Sequence, residues 1–334
     1  MNTPFFSIII PVYNGLTHDL PVCLNSIWEQ SLDKQLYEVI CVDDCSTDGT
    51  RQWLKEEQSK HPNLIVIENE RNIRQGGSRN KGMLAAKGAY IIFIDQDDYF
   101  HNGSIKMVYD HLQKNKIEVL IVDAVYESPG KIGHKLQHNF SHKEIMAGDE
   151  IIVKNSIPYA PWKFIFQRTH IIENKLFFNQ NERIEDVDWV HKLVHYAKRV
   201  QYQPILFIHY IKNRISTTMT AYKSGETIYS TLRCAQRMHT MIDTVFADSD
   251  NSVKVKIRVI SETIGYLGLR NYLFFYDKIE TKSNNIKTNL NEITGSHFIL
   301  RFAKKMPHIF SLVSNITSPF ARCLMFIYQY IKYR

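Results

Sequence analysis

Phe5–Pro11 reads FFSIIIP, an unbroken apolar run that gives way at once to the polar loop Val12-Tyr13-Asn14-Gly15. A run this short, closed by a turn, is the pattern of a strand buried on both faces. The pattern recurs. Tyr37–Asp43 (YEVICVD) ends in Asp43-Asp44, Leu64–Glu68 is a third strand, and Tyr90–Ile94 runs directly into Asp95-Gln96-Asp97-Asp98. Helical stretches separate them at Asp19–Gln30, Thr50–Lys60 (capped by Asp48 or Thr50) and Gly76–Lys87. Ile105–Lys114 and then Val119–Tyr126 continue the alternation. Strands alternating with helices predict right-handed βαβ units and a mostly parallel sheet. Ligands of such sheets sit outside the carboxyl ends of the strands. Here those ends carry Pro11-Val12-Tyr13-Asn14, Asp43-Asp44 and Asp95-Gln96-Asp97-Asp98, three polar loops at one edge.

Composition agrees with a folded globular chain. There are 334 residues, 44% hydrophobic and 22% charged, enough for two ordinary domains or one α/β domain with an appendage. Fourteen glycines and ten prolines leave no room for a long flexible linker, and no internal repeat is visible. Five scattered cysteines without a C-x-x-C argue against a disulfide framework or a zinc site. With no basic stretch before Phe5–Pro11 to form a leader, the expected setting is cytoplasmic. The net charge of +7 is unevenly placed: from Ser296 to Arg334 there are six Lys and Arg and no acid.

Each polar cluster supports a plain reading and a chemical one. Carboxylates suit Mg²⁺ or Mn²⁺ bridged to phosphate, and alternation along an extended loop puts Asp95 and Asp97 on one side. The plainer role for these acids is to cap the following helix. Asp43-Asp44 is either an Asx-turn or a ligand for a nucleoside; a dinucleotide fold would demand G-x-G-x-x-G after the first strand, and P-V-Y-N-G stands there. Arg71–Gly82 (RNIRQGGSRNKG) gathers four cations around glycines, as a pyrophosphate site or a solvated basic face. Glu185-Asp186 opens a predicted amphipathic helix, Arg183–Lys198, as complement to its dipole or as a general base. Past Glu127 the alternation loosens. His134–Ile151 is polar without period, Pro158–Phe166 (PYAPWKFIF) is aromatic-rich, Val200–Tyr210 is a strand, and Gly225–Ala247 and Ser252–Tyr276 read as helices.

Taken in order, Phe6–Asn14, Val42–Thr50, Gly77–Gly82 and Phe93–Asp98 resemble the family 2 glycosyltransferases, inverting enzymes of GT-A type that bacteria use to build surface polysaccharides. The resemblance continues more weakly through Ala160–Lys163, Arg183–Trp189 and Arg214-Ile215-Ser216. It implies an α/β GT-A fold, a Rossmann-like nucleotide-binding sheet with helices on both faces, plus a mainly helical C-terminal region. It also implies roles. Pro11, Tyr13 and Asn14 would border the nucleobase, with Tyr13 stacked on it and Asp44 accepting from it. Arg79 would approach the diphosphate, Asp95 the ribose, and Asp97, with Asp95, the Mn²⁺ or Mg²⁺. Asp186, paired with Glu185, would deprotonate the acceptor hydroxyl. Trp162 and Asp98 would line the acceptor side, although Trp162 suits a core position equally. Gln96, where the family commonly has a small residue, is a departure that bears on local shape. His209 is a candidate further metal ligand.

The implied partners are a nucleotide-sugar donor, with a uridine nucleotide as the family's habit, and a glycan or lipid-linked saccharide acceptor. Nucleic acid is not among them. A non-catalytic sugar-nucleotide- or glycan-binding relative is the alternative, against which intact Asp44, Arg79, Asp97 and Asp186 stand. The expected organisation is a transferase domain over 1–215 (nucleotide-sugar half 1–125, acceptor half 126–215), a helical extension over 216–294 and a basic amphipathic tail over 295–334. Arg322, Asn315 and Pro319 argue against a spanning helix in that tail. It fits the face of an anionic membrane, or a helix pair packed on the protein's own core.

Overall fold

The computed structural model describes residues 3–128, 131–136, 140, 143–211 and 225–275. The chain divides into two units, Met1–Asn213 and Arg214–Arg334.

The first unit is built on one nine-stranded sheet. Its first half is the expected alternation: β1 (Phe6–Val12), α1 (Leu20–Trp28), β2 (Tyr37–Asp43), α2 (Thr50–Lys60), β3 (Leu64–Glu68), α3 (Arg74–Ala85) and β4 (Tyr90–Phe93). β1 lies between β2 and β4 with all three parallel, and β3 extends the parallel set beyond β2. Every residue of β1 and β2 is buried, which is why those segments read as continuous apolar runs rather than alternating ones. Pro11 is tolerated in so central a strand because β4 pairs with β1 only as far as Ile9↔Phe93, so the missing N–H leaves no bond to β4 unmade.

The second half is mixed, and here the expectation of a mostly parallel sheet is corrected. After β5 (Tyr99–Phe100), α4 (Ser104–Lys114) and β6 (Val119–Ser128) come β7 (Lys131–Leu136), α5 (Gly148–Lys154), β8 (Phe164–Gln167), α6 (Arg168–Glu173), α7 (Asp186–His195) and β9 (Val200–Ile211). β8 runs antiparallel between β4 and β6, β7 antiparallel along β6, and β5 antiparallel to β9; only β6 and β9 pair in parallel. The stretch read as a periodless insertion, His134–Ile151, therefore holds the end of an edge strand and the start of a helix. Strand pairing along β6 is supplied by backbone groups, so β7 carries no apolar periodicity to announce it.

Helix α3 fixes the position of the site. Gly82 faces β1 so closely that a Cβ there would lie 2.4 Å from Ile9 Cγ2, and a Cβ on Gly76 would lie 3.0 Å from Glu185 Cγ. The glycines let α3 settle onto the sheet and against the segment that precedes α7.

In the second unit, α8 (Gly225–Met241) and α9 (Asn251–Phe275) pack through Leu232, Ala235, Met238, Ile257 and Ile264, with the Ser261 hydroxyl donating to the Ala235 carbonyl at 2.8 Å. No helix among the described residues is long and apolar enough to cross a membrane. The 295–334 tail, including the apolar stretch Ile309–Ile331, lies outside the described residues.

Gly82→Ala is expected to destabilise the first unit by about 1–3 kcal/mol, because overpacking against Ile9 outweighs the gain in helix propensity. Chemical denaturation of the variant checks this; an unchanged midpoint would mean that α3 stands off the sheet.

Candidate active site

The three strand-end loops meet as the topology requires. The loop after β1 turns at Asn14, whose φ of 50° is left-handed. Its amide N–H donates to Ser46 Oγ at 2.8 Å, and its Oδ1 accepts from the Thr47 N–H at 2.8 Å, tying this loop to the one after β2. Pro11 is buried in the strand, whereas Tyr13 is 45% exposed, its ring offered to solvent at the edge of the sheet. Asp44 is buried; its N–H donates to the Val12 carbonyl at 2.7 Å, and its Oδ1 accepts from Asn69 Nδ2 and the Ile73 N–H, each at 2.8 Å. Next to it, Cys45 holds a φ of 69°, an unusual conformation for a non-glycine residue and one often found where a loop shapes a binding site.

Asp95, Gln96, Asp97 and Asp98 leave β4 and point in different directions. Asp95 Oδ1 accepts from Arg79 Nη2 at 2.7 Å. Asp98 is 1% exposed; its Oδ1 accepts from the Ile211 N–H at 2.8 Å, and its Oδ2 is buried with no hydrogen-bond partner among the described residues. Asp98 thus holds the end of β9 in place. Burial, and then the charge of Asp95, push the Asp97 carboxyl up to about 6. Burial raises Asp98 as well, with Asp95 and Asp97 adding to it.

Arg79 is the hub. Of the four cations in its segment, Arg71 and Lys81 are exposed, while Arg79 is 2% exposed. Expected to approach a diphosphate, it gives Nη2 to Asp95 and Nη1 to Glu185 at 2.9 Å, with its guanidinium over the rings of Phe178 (5.5 Å) and Phe93 (5.8 Å). The neighbouring Asn80 grips the backbone of Phe178 from both sides: its Nδ2 donates to the carbonyl at 2.9 Å, and its Oδ1 accepts from the N–H at 2.8 Å. Phe178 in turn stacks on Trp189 of α7, centroids 4.1 Å apart. α3 therefore anchors the segment that delivers Glu185 and Asp186 to the start of α7. The helix was expected from Arg183; it begins at Asp186, with Glu185 at its N-cap position and Asp186 and Asp188 in its first turn. Burial raises both Glu185 and Asp186, the guanidinium of Arg79 opposing it, and Asp186 comes to about 6. A carboxyl in that range is a competent base near neutral pH.

On the far side, Trp162 is buried and stacks on Tyr210 at 5.5 Å, and Tyr210 meets Tyr126 across the β6–β9 pair. Tyr210 directly precedes Ile211, whose N–H binds Asp98, and burial, then the charges of Asp98, Asp95 and Asp97, push its hydroxyl up to about 12. Neither Tyr126 nor Tyr210 stands out in the sequence; parallel strand register alone brings them together. His209 has both ring nitrogens engaged, Nδ1 with Glu127 at 2.7 Å and Nε2 with His101 at 2.9 Å.

Among the described residues, no group of three or more His, Cys, Asp or Glu is arranged to hold a metal. The donor set nonetheless suits a hard divalent cation of the Mg²⁺ or Mn²⁺ kind, which takes one or two carboxylates and completes its shell with water and phosphate. Asp97, raised by burial and by the charge of Asp95, is the group that fits, with Asp95 beside it.

The glycosyl transferase family 2 profile matches residues 7–177, half of the chain. Among curated relatives, a poly(ribitol-phosphate) beta-glucosyltransferase of Bacillus spizizenii is 29% identical over 261 residues, 76% of this chain and 39% of that protein. The poly(ribitol-phosphate) beta-N-acetylglucosaminyltransferase TarS of Staphylococcus aureus is 29% identical over 233 residues, 68% of this chain and 39% of that protein. The chain thus spans well under half the length of these relatives. The crystal structure of S. aureus TarS 1–349 in complex with UDP-GlcNAc superposes with a TM-score of 0.62 at 20% identity, covering 92% of this chain and 90% of that one. A mannosyltransferase of Pyrobaculum calidifontis, in complex with GDP-Man and Mn²⁺, shares the fold at a TM-score of 0.54 and 16% identity, covering 100% of this chain and 86% of that one. The chain belongs to glycosyl transferase family 2, with a GT-A sheet and a helical C-terminal region.

Proposed function

We propose that the chain transfers a hexosyl or N-acetylhexosaminyl group from a uridine-diphosphate sugar to a hydroxyl of a cell-surface polymer, with inversion at the anomeric carbon. The observation that carries this is the placement of Arg79: one buried guanidinium spans Asp95, on the donor loop, and Glu185, beside the candidate base Asp186. The relatives named above are beta-transferases acting on poly(ribitol-phosphate), and TarS was crystallised with UDP-GlcNAc. An α-linked nucleotide sugar attacked once from the opposite face yields a β product, in keeping with those names. A polyol-phosphate or related glycan is therefore the proposed acceptor.

In this reading Tyr13 stacks on the base, Pro11 and Asn14 shape its edge, and Asp44 accepts from it. Asp95 meets the ribose. A divalent cation held by Asp97 and Asp95 would supply charge neutralisation to the departing diphosphate. Arg79 does its work from beneath, holding Asp95 and Glu185 in place, and Glu185 holds Arg79 in turn. Asp186 accepts the acceptor's proton as its oxygen attacks; no covalent sugar–enzyme bond is formed. Tyr210, half-buried, offers an aromatic face on the acceptor side with the buried Trp162 stacked behind it, and Asp98 supports that side by anchoring Ile211. The basic composition of 295–334 supports contact with an anionic membrane surface, where a lipid-linked acceptor would be met.

Asp186→Asn is expected to lower transfer by about 10²–10⁴-fold while leaving the affinity for UDP within about twofold. Wild-type turnover in this variant would remove Asp186 as the base. Because burial raises Asp186 to about 6, and the base must be ionised, kcat/KM is expected to fall about tenfold per pH unit below about 6 and to level off above. A flat profile between pH 4.5 and 7 would count against the assignment. A thermal-shift panel of UDP, GDP, CDP and dTDP, each with and without Mn²⁺, tests the donor: stabilisation by UDP that depends on the metal is expected. No shift with any pair would favour the non-catalytic alternative.

A further inference from the structure

Gln96 sits between the two acids of the donor loop, where its side chain completes a contact that the backbone cannot make. β4 and β1 cease to pair at Ile9↔Phe93, apart from one more bond from the Ile94 N–H to the Ile9 carbonyl at 3.2 Å. Beyond that point the two chains diverge. Gln96 spans the gap: its Oε1 accepts from the Tyr13 N–H at 2.9 Å, and its Nε2 donates to the Tyr13 carbonyl, also at 2.9 Å. One primary amide thus meets both polar backbone groups of one residue, as a neighbouring strand would. On the other flank, Asn14 binds Ser46 and Thr47. The backbone that carries Tyr13 is therefore held from both sides, while the residue as a whole remains 45% exposed. A small residue at position 96 would leave the Tyr13 amide to solvent on the side facing the acids.

We infer that Gln96 is a positioning residue for donor recognition: it fixes the Tyr13 ring as a preformed stacking surface for the nucleobase and couples it to the loop bearing Asp95 and Asp97. Preorganisation of this kind raises affinity by removing the cost of ordering a loop on binding. The inference rests on the transferase reading above, in which Tyr13 meets the base.

The test is a double-mutant cycle on UDP affinity, measured by calorimetry with Mn²⁺ present, using Gln96→Ala, Tyr13→Ala and the double variant. Gln96→Ala is expected to weaken UDP by roughly three- to tenfold, the range for two half-exposed neutral hydrogen bonds. In the Tyr13→Ala background it should have no further effect, because its action passes through the ring. Donor KM should rise by the same factor with kcat within about twofold, and inorganic pyrophosphate, which has no base, should bind the wild type and Gln96→Ala equally. Additive effects of the two substitutions, or an equal loss of pyrophosphate affinity, would overturn the inference, since Gln96 would then act on the diphosphate side. So would a Gln96→Ala variant that melts lower yet binds UDP as the wild type does. If the wild type binds no nucleoside diphosphate at all, the transferase reading fails instead, and the two failures are told apart by that control.

Discussion

A single buried guanidinium holds the candidate site together. Burying Arg79 carries a large desolvation cost, which only good pairing offsets. Here the pairing is with two carboxylates from opposite halves of the unit, Asp95 at the end of β4 and Glu185 at the mouth of α7, while the rings of Phe93 and Phe178 lie within 6 Å of the guanidinium carbon. Removing one partner of such a buried group typically costs about 3–5 kcal/mol, because the charges left behind stay out of water. The arrangement therefore fixes the spacing between the donor loop and the candidate base more firmly than loop contacts alone could. α3 can supply it only because Gly82 and Gly76 let the helix approach Ile9 and Glu185 closely.

Around this hub, side-chain amides do what sheet pairing has stopped doing. Asn80 takes both backbone groups of Phe178, Gln96 both of Tyr13, and Asn14 bridges to the loop after β2. Gln96 and Asn14 act where a parallel sheet opens at its carboxyl edge and leaves N–H and C=O groups without ladder partners, and Asn80 does the same for the segment that precedes α7. The sheet supplies rigidity up to Ile9, Phe93 and Asp43; beyond these residues the amides carry it outward to the groups that would meet a ligand. Such a division suits a site that needs exposed side chains on an immobile backbone.

The parts of this legible in the sequence are those decided locally. β2, α2 and β3 lie at the residues the sequence predicts because each apolar or polar run is bounded by turn residues. The order of motifs along the chain also placed Tyr13, Asp44 and Asp95 at one sheet edge. What stayed hidden depends on long-range contact. Arg79 and Glu185 are 106 residues apart, and nothing in a run of four cations marks the one that turns inward. Gln96 and Tyr13 are 83 apart, so the residue that looks like a departure from the family pattern shows its use only once β1 and β4 are side by side. The antiparallel half is hidden for a related reason: β7 and β8 are short and take their direction from neighbours, not from their own periodicity.

The acids themselves are an electrostatic liability that the scaffold absorbs. Asp97 rises from 3.8 to about 6 because burial and Asp95 both disfavour its charge. A carboxyl raised in the folded state favours folding while it is protonated, and that contribution is lost as pH rises through about 6. Near neutral pH the ionised cluster thus works against the fold, by roughly 3 kcal/mol for Asp97 alone. The core of β1, β2 and β4, buried to the last residue, has the reserve to tolerate it. The same repulsion is what suits the cluster to a divalent cation with its diphosphate, since a positive charge bound there would relieve it. Arg79 neutralises the part of this charge carried by Asp95 and Glu185 and makes no such pair with Asp97, so a cation held there would complete the balance.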